Sequence, residues 1–344
     1  MGRVVTFAAP RVAVLADEPD PAPGAGEVRV ETIYSGISAG TELTAYRGSN
    51  PYLHKRWIAA RRLFVDGDAT AMTYPLEGWG YEQVGRVAEG DGVAAGTVVW
   101  GTWGHRSAAA VPATRAAECV LPDGLDPLLG VFARIGAIAL NAVLDADVHI
   151  GETVAIFGQG VPGLIATQLA AASGATIVAV DAIDRRLALA ASVGAAHLVN
   201  VADGSPAEAV KEVTDGRGAD VAIELSGSYA ALAEAVRATA YASRVVAAGF
   251  YQGDASALRL GEELHHNRIE LVASQIGGVA PRLAHRWDRT RLERTVMRLA
   301  ADGRLRLDTL VTHVLPAEAA PEAFRLLDER PEEVVQVVLD FRGP

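Results

Sequence analysis

The alternation of strands and helices between residues 151 and 248 constrains the fold of this chain more than any other feature. Short apolar, β-branched runs, beginning at Thr153–Phe157 and at 176–180, take turns with alanine-rich runs of helical length. Consecutive strands separated by a helix lie parallel, since the helix returns the chain to the same edge of the sheet. The sequence therefore predicts an α/β fold with a doubly wound parallel sheet in this part of the chain.

The first 127 residues have a different character. Strand-like runs are predicted at 4–7, 12–15, 27–34, 84–87, 97–100 and 107–111, and one short helix at 54–64. Turn-forming stretches such as 19–26 separate these runs, which is typical of an irregular β-barrel. We expect three segments: a β-barrel domain over 1–127, the parallel-sheet domain over 128–277, and a return to the first domain over 278–344. A helix is predicted near Arg289–Ala301 in the last segment.

Three glycines follow the strand Thr153–Phe157 directly. This spacing, between a buried strand and an apolar helix, is a dinucleotide-binding fingerprint. Gly158 permits the tight turn, Gly160 lets a pyrophosphate approach the backbone, and Gly163 lets helix and strand pack closely. The start of the helix offers main-chain N–H groups and a partial positive charge to the phosphates. The predicted cofactor loop comprises Gly158, Gln159, Gly160, Val161, Pro162 and Gly163.

An acidic residue ends the next strand. Asp181 lies 18 residues beyond Gly163. A carboxylate at this position accepts hydrogen bonds from the adenosine ribose hydroxyls and repels a 2′-phosphate, which favours NAD over NADP. The nearby Arg185 and Arg186 keep NADP open, because an arginine there can accommodate the 2′-phosphate. We expect Asp181 and Arg186 to line the cofactor site.

Composition argues against several other classes of function. Acidic residues outnumber basic ones by 42 to 31, a net charge of −11, so neither a nucleic acid nor an anionic membrane surface is the expected partner. Cys119 is the single cysteine, which rules out an internal disulfide and a cysteine-rich zinc site. Apolar runs such as 163–172 fall short of a membrane span, and the start of the chain lacks the apolar core of a signal peptide. A cytoplasmic enzyme acting on a small molecule is the expectation.

Several motifs occur together along the chain. They are EVRVETIYSGISAGTE at 27–42, PLEGWGYEQVGRV at 75–87, GETVAIFGQGVPG at 151–163, GA at 194–195 and ELHHNRIELVASQIGG at 263–278. With them the chain resembles the medium-chain dehydrogenase/reductase family over nearly its whole length. The forms SGISAGTE and GYEQVG are most similar to the subgroup that includes the bacteriochlorophyllide hydroxyethyl dehydrogenases and similar secondary-alcohol oxidoreductases.

The resemblance implies a GroES-like β-barrel catalytic domain and a Rossmann dinucleotide-binding domain. It implies homodimers formed through the edge of the nucleotide sheet. It also implies that the backbone at Phe250, and in the stretch from Ser274 to Ile276, holds the amide group of the nicotinamide.

The chain departs from the zinc-dependent members of that family at the metal ligands. Where those members carry a cysteine, a histidine and a third ligand, this sequence has Ser38, Tyr81 and, by ungapped register with the glycine loop, Ala133. The four-cysteine lobe that binds a structural zinc is missing. A hydroxyl, a phenol and a methyl group do not replace thiolate and imidazole as zinc ligands. We therefore predict that the protein binds no zinc.

Without zinc, another group has to handle the proton on the substrate oxygen. Tyr81 takes the place of a lost ligand, so the resemblance puts its phenol near the nicotinamide, where it donates to a ketone oxygen or passes a proton through Glu82. Ser38 holds the same oxygen in this hypothesis. Alternatively, Tyr81 only fills the space of the metal and Glu82 pairs with an arginine. His105, which follows Gly104, is interpreted as structural.

These observations predict a zinc-independent, NAD(H)-dependent oxidoreductase that interconverts a secondary alcohol and a ketone. Two alternatives stay open. Other metal-free members of the family reduce conjugated C=C bonds or quinones, usually with NADPH, and Asp181 argues against that reaction. The second alternative is a protein that binds the dinucleotide without turnover.

Overall fold

The computed structural model describes residues 1–66 and 72–343. They form two compact units, one of Met1–Arg134 with Val311–Pro344 and the other of Ile135–Leu310. The structure thus divides the chain at other positions than the predicted 127/128 and 277/278. The predicted helix at Arg289–Ala301 belongs to the second unit, where a Cβ placed on Gly136 would lie 2.5 Å from the side chain of Val296. This close packing places the helix in the second unit, and spacing along the sequence does not reveal it.

Strands predominate in the first unit and alternate with helices in the second. Up to residue 118 the elements are β1 (Gly2–Ala9), β2 (Val12–Glu18), β3 (Glu27–Ile37), α1 (Ala39–Arg47), β4 (Arg56–Ile58), β5 (Leu63–Val65), β6 (Leu76–Glu77), β7 (Glu82–Gly90), β8 (Val98–Gly101), β9 (Ala108–Pro112) and α2 (Ala113–Glu118). From residue 132 to 301 they are α3 (Phe132–Ala146), β10 (Thr153–Phe157), α4 (Val161–Ala172), β11 (Thr176–Asp181), α5 (Asp184–Ser192), β12 (His197–Asn200), α6 (Pro206–Glu212), β13 (Ala219–Glu224), α7 (Tyr229–Ala238), β14 (Thr239–Ala247), β15 (Glu270–Ala273) and α8 (Arg289–Ala301). The last three are β16 (Val311–Pro316), α9 (Ala320–Glu329) and β17 (Gln336–Asp340).

The main sheet of the first unit is built around β3. This strand pairs antiparallel with β7, β9 and β17, and the strand order is β16-β17-β3-β7-β8 with β9 also beside β3. The apolar side chains of β3 enter two core clusters, Val28 and Val30 in one and Ile37 in the other. Strands β1, β2 and β6 form a smaller antiparallel sheet. The pairing of β17 with β3 returns the end of the chain to the β-rich unit.

Residues 54–64 do not form the predicted helix. They contribute to a hairpin of β4 and β5 in which Trp57 pairs with Phe64, with ring centroids 4.9 Å apart. Aromatic residues lose rotamer freedom in a helix and gain from such a cross-strand contact. A helix that the sequence did not predict, α1, begins after β3 instead and ends at Gly48, whose φ of 82° is left-handed.

The second unit contains the predicted parallel sheet. Its six strands lie in the order β12-β11-β10-β13-β14-β15, and every neighbouring pair is parallel. Residues of both faces of β10 are buried, for example Ala155, Ile156 and Phe157, as covered parallel strands require. This is the doubly wound arrangement of a Rossmann sheet, and the predicted fold class is confirmed.

One stretch, Pro127–Ala146, is long and apolar enough by length and composition to cross a membrane. It consists of a short 3-10 turn at Pro127–Val131 followed by α3. In the structure, 67% of its most apolar window is buried inside the protein, as in the core helix of a folded domain.

Candidate active site

The glycine loop lies where the strand order of the parallel sheet reverses. From β10 the chain proceeds outward to β11 and β12, and it then returns to place β13 on the other side of β10. In doubly wound sheets, ligands bind outside the carboxyl ends of the strands at such a switch point. The loop at 158–160 joins the carboxyl end of β10 to α4, so it occupies this position.

The three glycines of the loop differ in their surroundings. Gly158 has a φ of 88°, and a Cβ there would lie 2.7 Å from the main-chain nitrogen of Ser226. A Cβ on Gly163 would lie 1.8 Å from the carbonyl oxygen of Gly158, so α4 approaches the loop at a distance that only glycine allows. A Cβ on Gly160 would meet no atom closer than 4.0 Å outside its chain neighbours. The open side of the loop is therefore at Gly160.

The first turn of α4 adds main-chain N–H groups to this open side. Gly160 precedes the helix, Val161 and Gly163 lie in its first turn, and Pro162 contributes no N–H group. The N–H groups of a first turn have no partner within the helix and carry the positive end of the helix dipole. The loop therefore fits a pyrophosphate group.

Asp181 lies beside this loop at the end of β11 and is 8% exposed. Its Oδ2 accepts a hydrogen bond from the main-chain N–H of Gln159 at 2.6 Å, and its Oδ1 accepts one from that of Ile183 at 2.9 Å. Each oxygen keeps a further acceptor position for a ribose hydroxyl. The side chain of Gln159 is buried and bonds to Ile156 and Thr167. This side chain supports the loop from inside, and the place of Gln159 in the cofactor loop stays a prediction.

The other predicted cofactor residues lie after neighbouring strands. Arg186 is half-buried on α5, Phe250 follows β14 and is 40% exposed, and Ser274 and Ile276 follow β15. The main-chain N–H of Ser274 donates to the carbonyl oxygen of Ala247 at 3.0 Å. Because the carboxyl ends of parallel strands share one edge of the sheet, these segments lie on the same edge as the glycine loop.

The sequence analysis missed Glu224, which ends β13 at this edge. Its buried carboxyl group accepts hydrogen bonds from the main-chain N–H groups of Ser226 at 2.7 Å and Gly227 at 3.2 Å, and from the hydroxyl of Tyr251 at 2.5 Å. Burial raises the pKa of Glu224. The residue ties the loops after β13 and β14 together. The available signal was an acidic residue at the end of a buried strand, the same signal that identified Asp181.

The predicted catalytic residues lie in the first unit, around the start of α1. Ser38 stands between β3 and α1, and Tyr81 precedes β7, which pairs with β3. The hydroxyl groups of Ser38 and Tyr81 are hydrogen-bonded to each other, and Thr41 Oγ1 lies 3.4 Å from Tyr81 Oη. The structure thus brings two of the predicted catalytic residues into direct contact and adds Thr41. We call Ser38 and Tyr81 the hydroxyl pair.

The phenol of Tyr81 keeps its proton at physiological pH. Burial raises its pKa above the ordinary value of 10.0, and the carboxyl group of Glu82 raises it further, while the hydrogen bonds with Ser38 and Thr41 lower it in part. A phenol with a raised pKa donates hydrogen bonds and does not act as a base at rest. The hydroxyl pair is therefore suited to donate to an oxygen atom of a ligand.

Glu82 lies at the start of β7 and is buried over Gly36 of β3. A Cβ on Gly36 would lie 2.7 Å from Glu82 Oε2. Burial raises the pKa of Glu82 well above 4.5, and Glu42 raises it further, which favours the neutral form of this side chain. The side chains of Gln336 and Ser38 lie close enough to lower that pKa in part, although neither carboxyl oxygen of Glu82 has a partner in full hydrogen-bond geometry within the described residues. The relay from Tyr81 to Glu82 therefore stays a prediction, and no pairing of Glu82 with an arginine is seen within the described residues.

A row of buried polar side chains leads from Ser38 into the first unit. The main-chain N–H of Ser38 donates to Glu42 Oε1 at 2.9 Å, and Glu42 Oε2 lies 2.5 Å from His105 Nε2. His105 Nδ1 lies 2.6 Å from Ser35 Oγ, which accepts a hydrogen bond from Gln83 Nε2 at 3.0 Å. Behind Ser38, every member of the row is completely buried. The sequence analysis gave His105 a structural role and did not connect it with Glu42.

The residues at the positions where the resemblance puts zinc ligands do not suit a zinc ion. The hydroxyls of Ser38 and Tyr81 bind each other, the phenol keeps its proton, and Ala133 presents only a buried methyl group. Zinc in proteins takes thiolate, imidazole or carboxylate ligands. Over residues 1–66 and 72–343, no three or more His, Cys, Asp or Glu side chains are grouped so that they could hold a metal ion.

The chain is similar in sequence to known dehydrogenases. The family model described as zinc-binding dehydrogenase matches residues 162–291. D-guloside 3-dehydrogenase of Escherichia coli (strain K12) is 29% identical over 345 residues, which cover 97% of this chain and 98% of that protein. L-threonine 3-dehydrogenase of Pyrococcus abyssi (strain GE5 / Orsay) is 32% identical over 208 residues, which cover 60% of this chain and 56% of that protein.

Solved structures share the fold over nearly the whole chain. Alcohol dehydrogenase TADH from Thermus sp. ATN1 aligns with a TM-score of 0.76 and 24% identity, covering 98% of this chain and 99% of that one. A putative zinc-binding dehydrogenase from Sinorhizobium meliloti 1021, bound to NADP, aligns with a TM-score of 0.78 and 21% identity, covering 99% of each chain.

The fold, the glycine loop and the sequence similarities together define an oxidoreductase with a Rossmann sheet. These similarities are to members of the medium-chain zinc-type dehydrogenase/reductase family, which supports the predicted resemblance. The zinc-lacking subgroup and the preference for NAD stay predictions, since one structural neighbour carries NADP.

Proposed function

We propose that this protein is an NAD(H)-dependent oxidoreductase that interconverts a secondary alcohol and a ketone on a small molecule without zinc. The observation that carries the proposal is the hydrogen-bonded hydroxyl pair, Ser38 and Tyr81, at two positions where the resemblance puts zinc ligands. A protonated phenol supported by a second hydroxyl stabilises negative charge that develops on a substrate oxygen. The pair can therefore do the work that a Lewis acid does in the zinc-dependent relatives.

The nicotinamide, when bound, supplies or accepts the hydride. Tyr81 donates a hydrogen bond to the carbonyl oxygen of the ketone, and its proton moves to that oxygen as charge develops there. A substrate alkoxide is a stronger base than a phenolate, so this transfer is favourable even from a phenol with a raised pKa. Ser38 and Thr41 then donate hydrogen bonds to the phenolate until it regains a proton from solvent. In the direction of oxidation, the same side chains act in reverse order.

The second unit holds the dinucleotide in this proposal. The open side at Gly160 and the first turn of α4 receive the pyrophosphate, and Asp181 accepts hydrogen bonds from the adenosine ribose. The negative charge of Asp181 supports NAD over NADP, while Arg186 is the residue that would contact a 2′-phosphate. Phe250 and the segment from Ser274 to Ile276 are assigned to the nicotinamide end by the resemblance.

A hydroxyl of a sugar derivative is the first substrate class that we propose. The relative with 29% identity along nearly the whole chain is named D-guloside 3-dehydrogenase, so D-gulosides and related glycosides are the first compounds to test.

The experiment is a cofactor titration followed by a substrate screen. NADH and NADPH are titrated by fluorescence, and glycosides, simple secondary alcohols, ketones and enones are then tested for a change in nicotinamide absorbance. We expect NAD-dependent oxidation of a secondary alcohol by protein that contains well under one zinc per chain. Turnover of enones alone would favour a C=C reductase, and cofactor binding without any turnover would favour a non-catalytic protein. Activity that a chelator abolishes and zinc restores would refute the metal-free mechanism.

A further inference from the structure

We propose that Glu42 and His105 are positioning residues that hold the hydroxyl pair, Ser38 and Tyr81, in its reactive geometry. The inference rests on the proposed function and extends it to two side chains that need touch neither substrate nor cofactor.

Ser38 occupies the N-cap position of α1 but does not cap the helix with its side chain. A serine at this position ordinarily accepts a hydrogen bond from a main-chain N–H of the first turn through its hydroxyl. Here the hydroxyl of Ser38 bonds to Tyr81 instead. The side chain of Glu42 reaches back and accepts the main-chain N–H of Ser38 at 2.9 Å. The carboxyl group thus fixes Ser38 through its backbone and leaves the hydroxyl for Tyr81.

His105 determines the orientation of that carboxyl group. Glu42 Oε1 bonds to Ser38 and Oε2 to His105 Nε2 at 2.5 Å, so both oxygens have a fixed partner. The imidazole is in turn fixed by Ser35 Oγ, 2.6 Å from Nδ1. The carbonyl oxygen of the Gln83 side chain accepts the main-chain N–H of Gly104 at 3.2 Å, which holds the segment just before His105. No member of this row is free to adopt another rotamer without breaking a buried hydrogen bond.

The cost of burying these groups argues for a role beyond stability. Glu42 and His105 are both completely buried. Well-packed apolar residues of similar volume often stabilise a fold as much as a buried ion pair or more. The row instead ends at the main-chain N–H of Ser38, and the hydroxyl of Ser38 contacts Tyr81. Misplacement of a reacting group by about 1 Å can reduce turnover by about 10²-fold, so fixing Ser38 has a kinetic benefit.

The geometry also distinguishes positioning from proton transfer. The link between Glu42 and Ser38 is a main-chain amide, which does not pass protons onward during turnover. A proton taken up by His105 therefore has no hydrogen-bonded route to Tyr81 through this row. Changing His105 should alter the value of kcat and not the pH at which kcat changes.

The test compares two substitutions of His105 with a control in the same unit. His105→Gln keeps an N–H donor for Glu42, whereas His105→Leu removes it. The control is Asn50→Ala, which breaks a buried side-chain hydrogen bond of 2.7 Å to Thr44 and removes none of the hydrogen bonds of the row. Steady-state kinetics with the substrate found in the screen give kcat, KM and the pH profile of each variant, and a fluorescence titration gives its Kd for NADH.

We expect His105→Leu to lower kcat by about tenfold or more, with the Kd for NADH and the pH profile unchanged. His105→Gln should recover kcat to within about threefold of the unmodified protein, and Asn50→Ala should leave kcat unchanged. The proposal is overturned if His105→Leu keeps its kcat, or if both His105 variants lose it equally. A displaced pH profile would point to a proton relay and would overturn it as well. If His105→Leu does not fold, Ser35→Ala, which loosens the imidazole from its other side, replaces it with the same expectation.

A second measurement separates this inference from the proposed function. Hydrogen exchange followed by mass spectrometry reports the protection of the Ser38 amide with no substrate present. We expect that protection to fall in His105→Leu, and to persist in His105→Gln and Asn50→Ala. If no substrate is turned over, the proposed function fails while a selective loss of Ser38 protection still supports the positioning role. Unchanged protection in His105→Leu overturns that role even if the enzyme is active.

Discussion

Replacing Tyr81 by phenylalanine removes the phenolic oxygen of the hydroxyl pair and keeps the ring. The fold loses the hydrogen bond between Tyr81 and Ser38, which is worth about 1 kcal/mol. The chemical step loses the donor that opposes charge on the substrate oxygen, and loss of such a donor or of a general acid lowers turnover by about 10²–10⁴-fold. We therefore expect a large loss of kcat with a small loss of stability.

Ser38→Ala makes this prediction more specific. It leaves the phenol in place, but it removes a hydrogen bond that lowers the pKa of Tyr81. The transfer of the proton to the substrate becomes less favourable, and we expect kcat to fall by about tenfold. Because Ser38 acts through the phenol of Tyr81, the effects of the two substitutions should not add. The double variant should lose little more than Tyr81→Phe alone.

The assay is steady-state turnover at saturating cofactor, with thermal unfolding and NADH titration as controls. In the unmodified protein the rate of ketone reduction should stay level through neutral and mildly alkaline pH, since the raised pKa keeps Tyr81 protonated there. A loss of kcat below about threefold in Tyr81→Phe, with normal NADH binding, would show that the ring only fills space. Fully additive effects of the two substitutions would show that the hydroxyls do not act as a pair.

Three further predictions concern other parts of the two units. Gly163→Ala should lower the free energy of unfolding by about 3 kcal/mol or more and abolish NADH binding in titrations. The reason is that the new Cβ would lie 1.8 Å from the carbonyl oxygen of Gly158. A variant that binds NADH normally would contradict the assigned packing of the loop. Asp181→Ser should weaken NADH binding by about tenfold or more relative to NADPH, measured as the ratio of the two Kd values, and an unchanged ratio would remove the ribose assignment. Glu82→Gln should gain stability over the unmodified protein as the pH rises above about 4.5, measured by urea unfolding at several pH values. The pKa of Glu82 is higher in the folded protein than in the unfolded chain, so the unmodified protein loses stability as the pH rises from about 4.5 toward the folded pKa. Glutamine does not titrate, so the variant does not share this loss. A difference in stability between the two proteins that is independent of pH would refute this explanation.

The parallel sheet could be predicted from the sequence because its signals are local. Thr153–Phe157 and Arg289–Ala301 have the predicted bounds, and the glycine loop lies between a strand and a helix as expected. Such elements are encoded by the periodicity of a few adjacent residues. The segment 54–64 is different, because its aromatic residues become a hairpin only when Trp57 meets Phe64 across the turn. The hydrophobic pattern along the chain does not contain that pairing.

The candidate active site was predictable in its positions and not in its connections. Ser38 and Tyr81 follow from the resemblance, but Glu42 and His105 are 63 residues apart, and no spacing rule links them. Gln159 lies on the predicted loop, yet packing against α4 directs its side chain inward to Thr167. The direction of a side chain depends on which neighbour offers a buried hydrogen bond. That information exists only in the folded unit.

The two buried carboxyl groups near Tyr81 have different partners, and this difference bears on the proposed chemistry. Glu42 bonds to His105 and to the backbone of Ser38, whereas the carboxyl oxygens of Glu82 make no hydrogen bond within the described residues. Burial raises the pKa of Glu82, and the nearby Glu42 raises it further. An ionised Glu82 raises the pKa of Tyr81 and so opposes release of its proton. Because the raised pKa of Glu82 favours its neutral form, it reduces this opposition and helps the hydroxyl pair to exchange a proton without a metal cation beside it.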